Sequence, residues 1–227
     1  MTTRTRPQMT LETRTKLIAL AREAFGRHGY AGVALDDLTA AAELTRGALY
    51  HHFESKLGLF AAVVEQIDDW LDEAVEQATR AAGGGWRGFR EGCRAYLGAM
   101  VAPDIQRIML RDAPAVIPNF ANRPRMQLCT AQMVGSLAAM MEQRVIRRAE
   151  PEALANLIAG AVVSAAAWAT TRPDPTAALD AVGSALDRLL DGLELAQAED
   201  MPSDRSLDEC VPRTTPVSNA ASRNNAI

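Results

Sequence analysis

The chain of 227 residues carries 24 Lys plus Arg against 28 Asp plus Glu, a formal charge of −4, with 48% hydrophobic and 23% charged residues. This composition excludes a wholly disordered chain, a collagen and a coiled-coil rod, and the length leaves room for one large or two small domains with a genuine core. The longest apolar run, residues 157 to 169, stops well short of the roughly 20 residues that cross a bilayer, and no apolar segment leads to a cleavage site at the N-terminus, so a cytoplasmic protein with no membrane contact is expected.

Cys93, Cys129 and Cys210 are odd in number and far apart, which fits idle thiols better than a disulfide framework or a metal site. The charge is unevenly spread. Residues 1 to 56 hold eight Lys plus Arg against six Asp plus Glu, a local +2, leaving −6 for residues 57 to 227. That sign pattern directs a polyanion to the N-terminal part.

Apolar residues at helical spacing dominate the chain. Leu17, Ile18, Ala21, Ala24 and Phe25 give one face of a helix from about Thr10 to His28, and Gly29 with Tyr30 supplies a left-handed stop backed by a hydrophobic residue. Two very short helices follow, Leu35 to Ala42 and Arg46 to His52, joined by the turn Glu43-Leu44-Thr45. This is a helix-turn-helix layout, although an ordinary short helical hairpin has the same spacing. Thr45 is placed to cap the second helix. Leu49 and Phe53 would face the core, leaving Gly47 and His51 on the opposite side with Tyr50 on the flank. An outward face of this kind suits a major groove: Arg46 can read guanine, Gly47 and Ala48 let the backbone come close, and Tyr50 and His51 reach phosphate or base.

A long helix then starts after Ser55, its cap, with Leu57, Phe60, Val64, Ile67, Leu71 and Ala74 on one side, and ends at Gly83-Gly84-Gly85. Asp68 and Asp69 on it read most simply as a solvated face. The same stepping recurs from Trp86 to Met100, Met126 to Met140, Leu154 to Trp168 and Leu179 to Leu193, with breaks at Pro114, Pro118 and Pro124, a helix start at Pro151, and a loop at Pro173 and Pro175. No segment alternates with period two, so the fold class is all-α. After Ala198 apolar periodicity stops and Pro, Ser, Thr and Asn take over, as in a disordered tail.

The segment Gly47-Ala48-Leu49-Tyr50-His51-His52-Phe53 with Lys56, preceded by Ala24-Phe25, Gly29-Tyr30, Asp37-Leu38, Ala40-Ala41-Ala42 and Leu44-Thr45, resembles the TetR family of transcriptional regulators over about 50 residues. A weaker likeness lies in Ile108-Met109-Leu110-Arg111-Asp112-Ala113-Pro114. The resemblance implies an N-terminal three-helix DNA-binding domain over residues 1–55, a helical ligand-binding and dimerisation domain over 56–197, and a tail over 198–227. Its DNA contacts would fall on Thr45, Arg46, Gly47, Tyr50, His51, His52 and Lys56. Two departures stand out: Glu43 replaces the usual turn glycine and must either accept a left-handed conformation at a cost of about 1 kcal/mol or adjust the turn, and Ala34 replaces a capping Thr or Ser. Asp36 stands near a position the family often gives to a phosphate contact.

Six of nine methionines fall between residues 100 and 141, and methionine both fills irregular cores and lines adaptable binding surfaces. With the family's pocket in view, Tyr96, Met100, Met109, Phe120, Met126, Cys129 and Met133 are the candidate lining of a site for a small, largely apolar ligand. The last two helices are apolar around much of their girth and need cover on more than one side. Ala161, Ala165 and Trp168 with Leu186 and Leu193 are therefore the candidate homodimer interface, which would match a palindromic operator. No catalytic, cofactor or metal constellation is apparent; the adjacent His51 and His52 lie about 100° apart on a helix, unsuited to one metal. The expectation is a regulator, not an enzyme: a repressor that binds operator DNA as a homodimer and is released by a small-molecule effector. The alternative is an all-α interaction or ligand-carrier protein without DNA binding.

Overall fold

A computed structural model describes residues 6–195; the tail expected over 198–227, and Cys210 with it, lies outside the described residues. Apart from an isolated antiparallel bridge between Ile146 and Glu194, the regular structure described is helical. In chain order it runs α1 (Arg6–Gly32), α2 (Leu35–Ala42), α3 (Arg46–Phe53), α4 (Lys56–Ala81) and α5 (Gly85–Met100), then a bent segment of α6 (Pro103–Ile105), a π-helical stretch (Gln106–Asp112) and α7 (Ala113–Val116). A 3₁₀ turn (Phe120–Asn122) leads to α8 (Pro124–Glu142), α9 (Pro151–Ala169) and α10 (Pro175–Asp191).

Local chemistry accounts for most of the boundaries. Gly29 breaks α1 with φ 73° and ψ 167°, a conformation that is costly for any side chain with a Cβ. Glu43 closes α2 in the left-handed region at φ 58°, ψ 40°, and Ala34 gives that helix no side-chain cap. Ser55 Oγ accepts from the Gly58 N–H at 3.0 Å and starts α4. Gly58 itself is required there: a Cβ would sit 2.1 Å from the Phe53 carbonyl oxygen, because α4 leaves α3 almost in contact. Prolines open α8, α9 and α10 at the turn where a missing N–H costs nothing. The π-helical stretch has no periodic signature. Pro114 comes two residues after its last residue, in the first turn of α7, where its missing N–H costs little.

The N-terminal core joins α1, α2, α3 and the first turns of α4. Leu17, Phe25, Leu49, Leu59 and Phe60 are fully buried, each contributing about 1.5–3 kcal/mol by leaving water. Phe25, Tyr30 and Phe60 form an aromatic cluster with centroid separations of 4.9–5.9 Å. Since Phe60 belongs to α4, that helix carries this packing into the rest of one hydrophobic cluster that runs on to Leu190.

Beyond it, α4 and α5 lie side by side across the glycine triplet, whose φ angles are all positive. Gly88 and Gly92 let α5 approach closely: added Cβ atoms would lie 2.7 Å from the Thr79 carbonyl and 2.8 Å from its hydroxyl. α9 packs on α5 and α8, and α10 on α5 and α9. Arg90 and Arg94 of α5 pair with Asp187 of α10. The segment 103–112 clasps α1: Arg22 pairs with Asp104 at 2.9 Å, the Tyr30 N–H donates to Asp112 Oδ2 at 2.7 Å, and Arg107 donates to the Arg27 carbonyl.

α9 departs from expectation in one respect. With 19 residues and a mean hydropathy of 1.4 over its most apolar window, it is long and apolar enough to cross a membrane by length and composition. Its Ala155, Ile158, Val162 and Ala166 face are buried within the chain. The opposite face is exposed, with Leu157 at 70% and Trp168 at 46%.

Candidate nucleic-acid interface and interior cavity

The outward face of α3 is built by local rules. Thr45 Oγ1 accepts from the Ala48 N–H at 3.3 Å, and Leu49 and Phe53 anchor the helix inward. Arg46, Gly47, Tyr50 and His51 are exposed and His52 is half-buried. A Cβ on Gly47 would meet nothing closer than Thr45 Oγ1 at 3.9 Å, so folding does not demand glycine there; the backbone is simply bare to the outside. His52 is held below the ordinary histidine value, first by partial burial and then by the neighbouring His51 and Arg14, and stays neutral at neutral pH.

Two of the candidate contacts already have partners. Arg46 Nε pairs with Asp36 Oδ1 at 2.7 Å, so Asp36 occupies the guanidinium instead of facing a phosphate. Lys56 places its ammonium 4.6 Å from the centre of the Tyr30 ring, a cation–π seat that fixes it at the junction of α3 and α4.

A second feature lies between α4, α5, α8 and α9: a cavity of about 590 Å³, within the range of small-molecule sites. Tyr96, Met126, Cys129 and Met133 line it. Met100, Met109 and Phe120 do not. Met100 and Met109 are buried core residues, and the Phe120 ring lies 4.0 Å beneath the Arg123 guanidinium. Phe89, Leu71, Ile158 and Val162 complete much of the apolar wall; they sit on helical faces that read only as core in the sequence.

The polar part of the cavity was not legible. Asp68 and Asp72 of α4 line it, and Asp68 is 7% exposed, which corrects the expectation of a solvated Asp68–Asp69 face. Burial raises the Asp68 carboxyl above its ordinary value, against the opposing pull of Arg123. Arg123 Nη1 donates to Asp68 Oδ2 at 2.9 Å, and Arg125 donates to Asp69 Oδ1 at 2.7 Å and to Asp72 Oδ2; these bonds hold Arg125 firmly protonated. The start of α8 is thus clipped to α4 beside the cavity. Burial pushes the Cys93 thiol and the Tyr96 hydroxyl each up to about 12, and raises Cys129 as well. Both cysteines are therefore protonated and poorly reactive.

The candidate interface residues divide. Ala161 and Trp168 are exposed, Ala165 and Leu193 are half-buried, and Leu186 is buried in the chain's own core. The leucine that stands out on α10 is Leu189, 67% exposed, one turn from where the pattern placed it.

Comparison with known proteins agrees with both halves. Residues 17–63 match the model for bacterial regulatory proteins of the tetR family, and residues 86–193 match a tetracyclin repressor-like C-terminal domain. A crystal structure of a TetR-family transcriptional regulator from Pectobacterium atrosepticum is 46% identical, superposes with a TM-score of 0.73, and covers 85% of this chain and 99% of that one. The HTH-type transcriptional regulator CymR of Pseudomonas putida is 41% identical over 78 residues, 34% of this chain and 36% of its own, so the likeness to that curated relative spans about a third of its length. AibR, solved in complex with isovaleryl coenzyme A and operator DNA, shares the fold at a TM-score of 0.56 and 18% identity, over 76% of this chain and 97% of its own. A helix-turn-helix with a bare outward face, carried on a helical domain that matches the family's C-terminal model, places this chain in the TetR family of transcriptional regulators.

Proposed function

We propose that the protein is an effector-controlled repressor that binds a palindromic operator as a homodimer and leaves it when a small, largely apolar molecule enters the cavity. The observation that carries this reading is the continuity of α4: its first residue, Lys56, adjoins α3, and further along the same uninterrupted helix Asp68, Leu71, Asp72, Val75 and Thr79 line the cavity. An effector that binds the two arrangements of α4 unequally biases the population of DNA-competent protein. The clasp of α1 by residues 103–112 gives a second physical link between the two halves. A structural neighbour solved with both an acyl-CoA and operator DNA supports the combination of roles. Residues Thr45, Arg46, Gly47, Tyr50, His51, His52 and Lys56 are the proposed DNA contacts, with Arg46 exchanging Asp36 for a base edge or phosphate. The partner copy is proposed to cover Leu157, Ala161 and Trp168 of α9 and Leu189 of α10, and a cytoplasmic location follows from the role.

Binding-site selection with the full chain tests the whole reading. An inverted repeat is expected, bound by a dimer on sedimentation. Ala161→Arg places an unpaired charge in the proposed interface, a penalty of several kcal/mol, and should yield helical monomers whose operator affinity falls by orders of magnitude. A selected site without symmetry, or an Ala161→Arg dimer of full affinity, overturns the arrangement.

A further inference from the structure

The cavity has an uneven inventory of hydrogen-bonding groups. Its walls are mostly apolar, with neutral polar side chains at Thr79, Thr130, Gln132, Ser136 and Gln143, and Asp68, more than nine-tenths buried, turns a carboxylate into it. Arg123 engages only Oδ2, and among the described residues no donor meets Oδ1. Tyr96 lines the same space, and its hydroxyl has no hydrogen-bond partner among them. Asp72 Oδ1 has only the Cys129 thiol at 3.8 Å, a weak donor. On the cationic side there is little to offer. Arg125 is the one Lys, Arg or His among the lining residues, and Asp69 and Asp72 already hold it. Arg123 keeps a buried, unpartnered Nη2 but does not line the cavity. Among the lining residues two carboxylates, Asp68 and Asp72, stand against one guanidinium, Arg125, which leaves one net negative charge.

The protonated Tyr96 hydroxyl can donate as well as accept, but the free carboxylate oxygens of Asp68 and Asp72 that face the cavity can only accept, so a donor is favoured beside them and an anion is not. Resting on the reading of this cavity as the effector site, we infer that it selects an apolar molecule whose polar end is a hydrogen-bond donor, cationic or neutral, seated on Asp68 Oδ1 and the Tyr96 hydroxyl, and that it rejects the same molecule ending in a carboxylate. The effector class differs in this from the coenzyme A thioester in the AibR complex.

Three probes sharing one dibenzazepine ring test the inference, bearing a propyl dimethylamine, a propanol or a propionate side chain, titrated calorimetrically into the full-length protein at pH 7.5. The amine should bind at least tenfold more tightly than the carboxylate, with the alcohol between them. Asp68→Asn should collapse the amine–carboxylate gap to below threefold. Because that change leaves Arg123 unpaired and threatens the fold, Asp72→Asn at the more exposed carboxylate serves as the second variant and should narrow the gap at least twofold. Met133→Trp narrows the cavity and should weaken binding of all three at least tenfold. A carboxylate that binds as well as the amine, and is weakened by Met133→Trp, overturns the charge preference and leaves the effector site standing. Binding that Met133→Trp leaves unchanged, or no binding by any probe, overturns both.

Discussion

The two halves of this molecule handle polar groups in opposite ways. In the helix-turn-helix the charged side chains stand outside a core of Leu17, Phe25, Leu49 and Phe60, and its buried hydroxyl, Thr39, bonds only to the Asp36 carbonyl of its own helix. In the second half Asp68 and Arg123 are drawn inside, beside a void of about 590 Å³. The first arrangement gives a rigid platform whose surface can be altered without disturbing its support. The second ties the fold to the state of an ion pair at the edge of a space, so that what fills the space and what holds the helices together are not independent.

Removing Arg123 should show the difference most strongly. Arg123→Ala strands a buried carboxylate, and unfolding at pH 7 is expected to become easier by about 3–5 kcal/mol. The pH dependence carries a sign. Without the guanidinium the folded-state pKa of Asp68 rises further above its unfolded value of 3.8; the folded protein then holds a proton the unfolded chain has lost, so stability falls as pH rises through and above 3.8. The deficit should shrink towards pH 4 and reach its full size near neutrality. A deficit independent of pH in denaturant melts would mean that Asp68 is not the group left exposed to burial.

Gly47→Ala probes the opposite regime. The fold has room for the methyl group, and alanine in a helix is favoured by about 0.5–1 kcal/mol, so thermal stability should hold or rise slightly. Operator affinity should fall about tenfold, 1.4 kcal/mol, where the bare backbone approaches DNA. Unchanged affinity in a titration would show that α3 does not come close at this position.

The smallest effect concerns His52. Its pKa is depressed below 6.5 in the folded chain, first by burial, so the unfolded chain takes up the proton first as pH falls. Stability should therefore decline modestly from pH 6.5 downwards until the folded-state value is passed, and His52→Gln should remove that slope. A slope that persists in the variant assigns it to another group.

The contrast also explains what the sequence could disclose. The caps by Thr45 and Ser55, the break at Gly29 and the inward Leu49–Phe53 pair are set by residues three or four apart, and spacing alone reveals them. The Asp68–Arg123 clip joins residues 55 positions apart, and nothing in either neighbourhood announces it. The same holds for Gly58, which is needed only because α3 and α4 nearly touch, and for Met100, Met109 and Phe120, which share the composition of the cavity-lining residues but point elsewhere. Leu186 and Leu189 are both leucines on one helix; which faces inward depends on where α5 and α9 lie. A helical period locates a face, and only assembly decides what it meets.

The 26 residues of α4 make a rod of about 39 Å at 1.5 Å per residue, and the stretch from Lys56 to Asp72 measures about 24 Å on the same rule. A tilt of about 5° at the cavity end would carry the far end through an arc of about 2 Å, which is the difference between a hydrogen bond made and one lost. A molecule that shifts Asp72 by a fraction of its own width therefore need not reach α3 to change what that helix can touch.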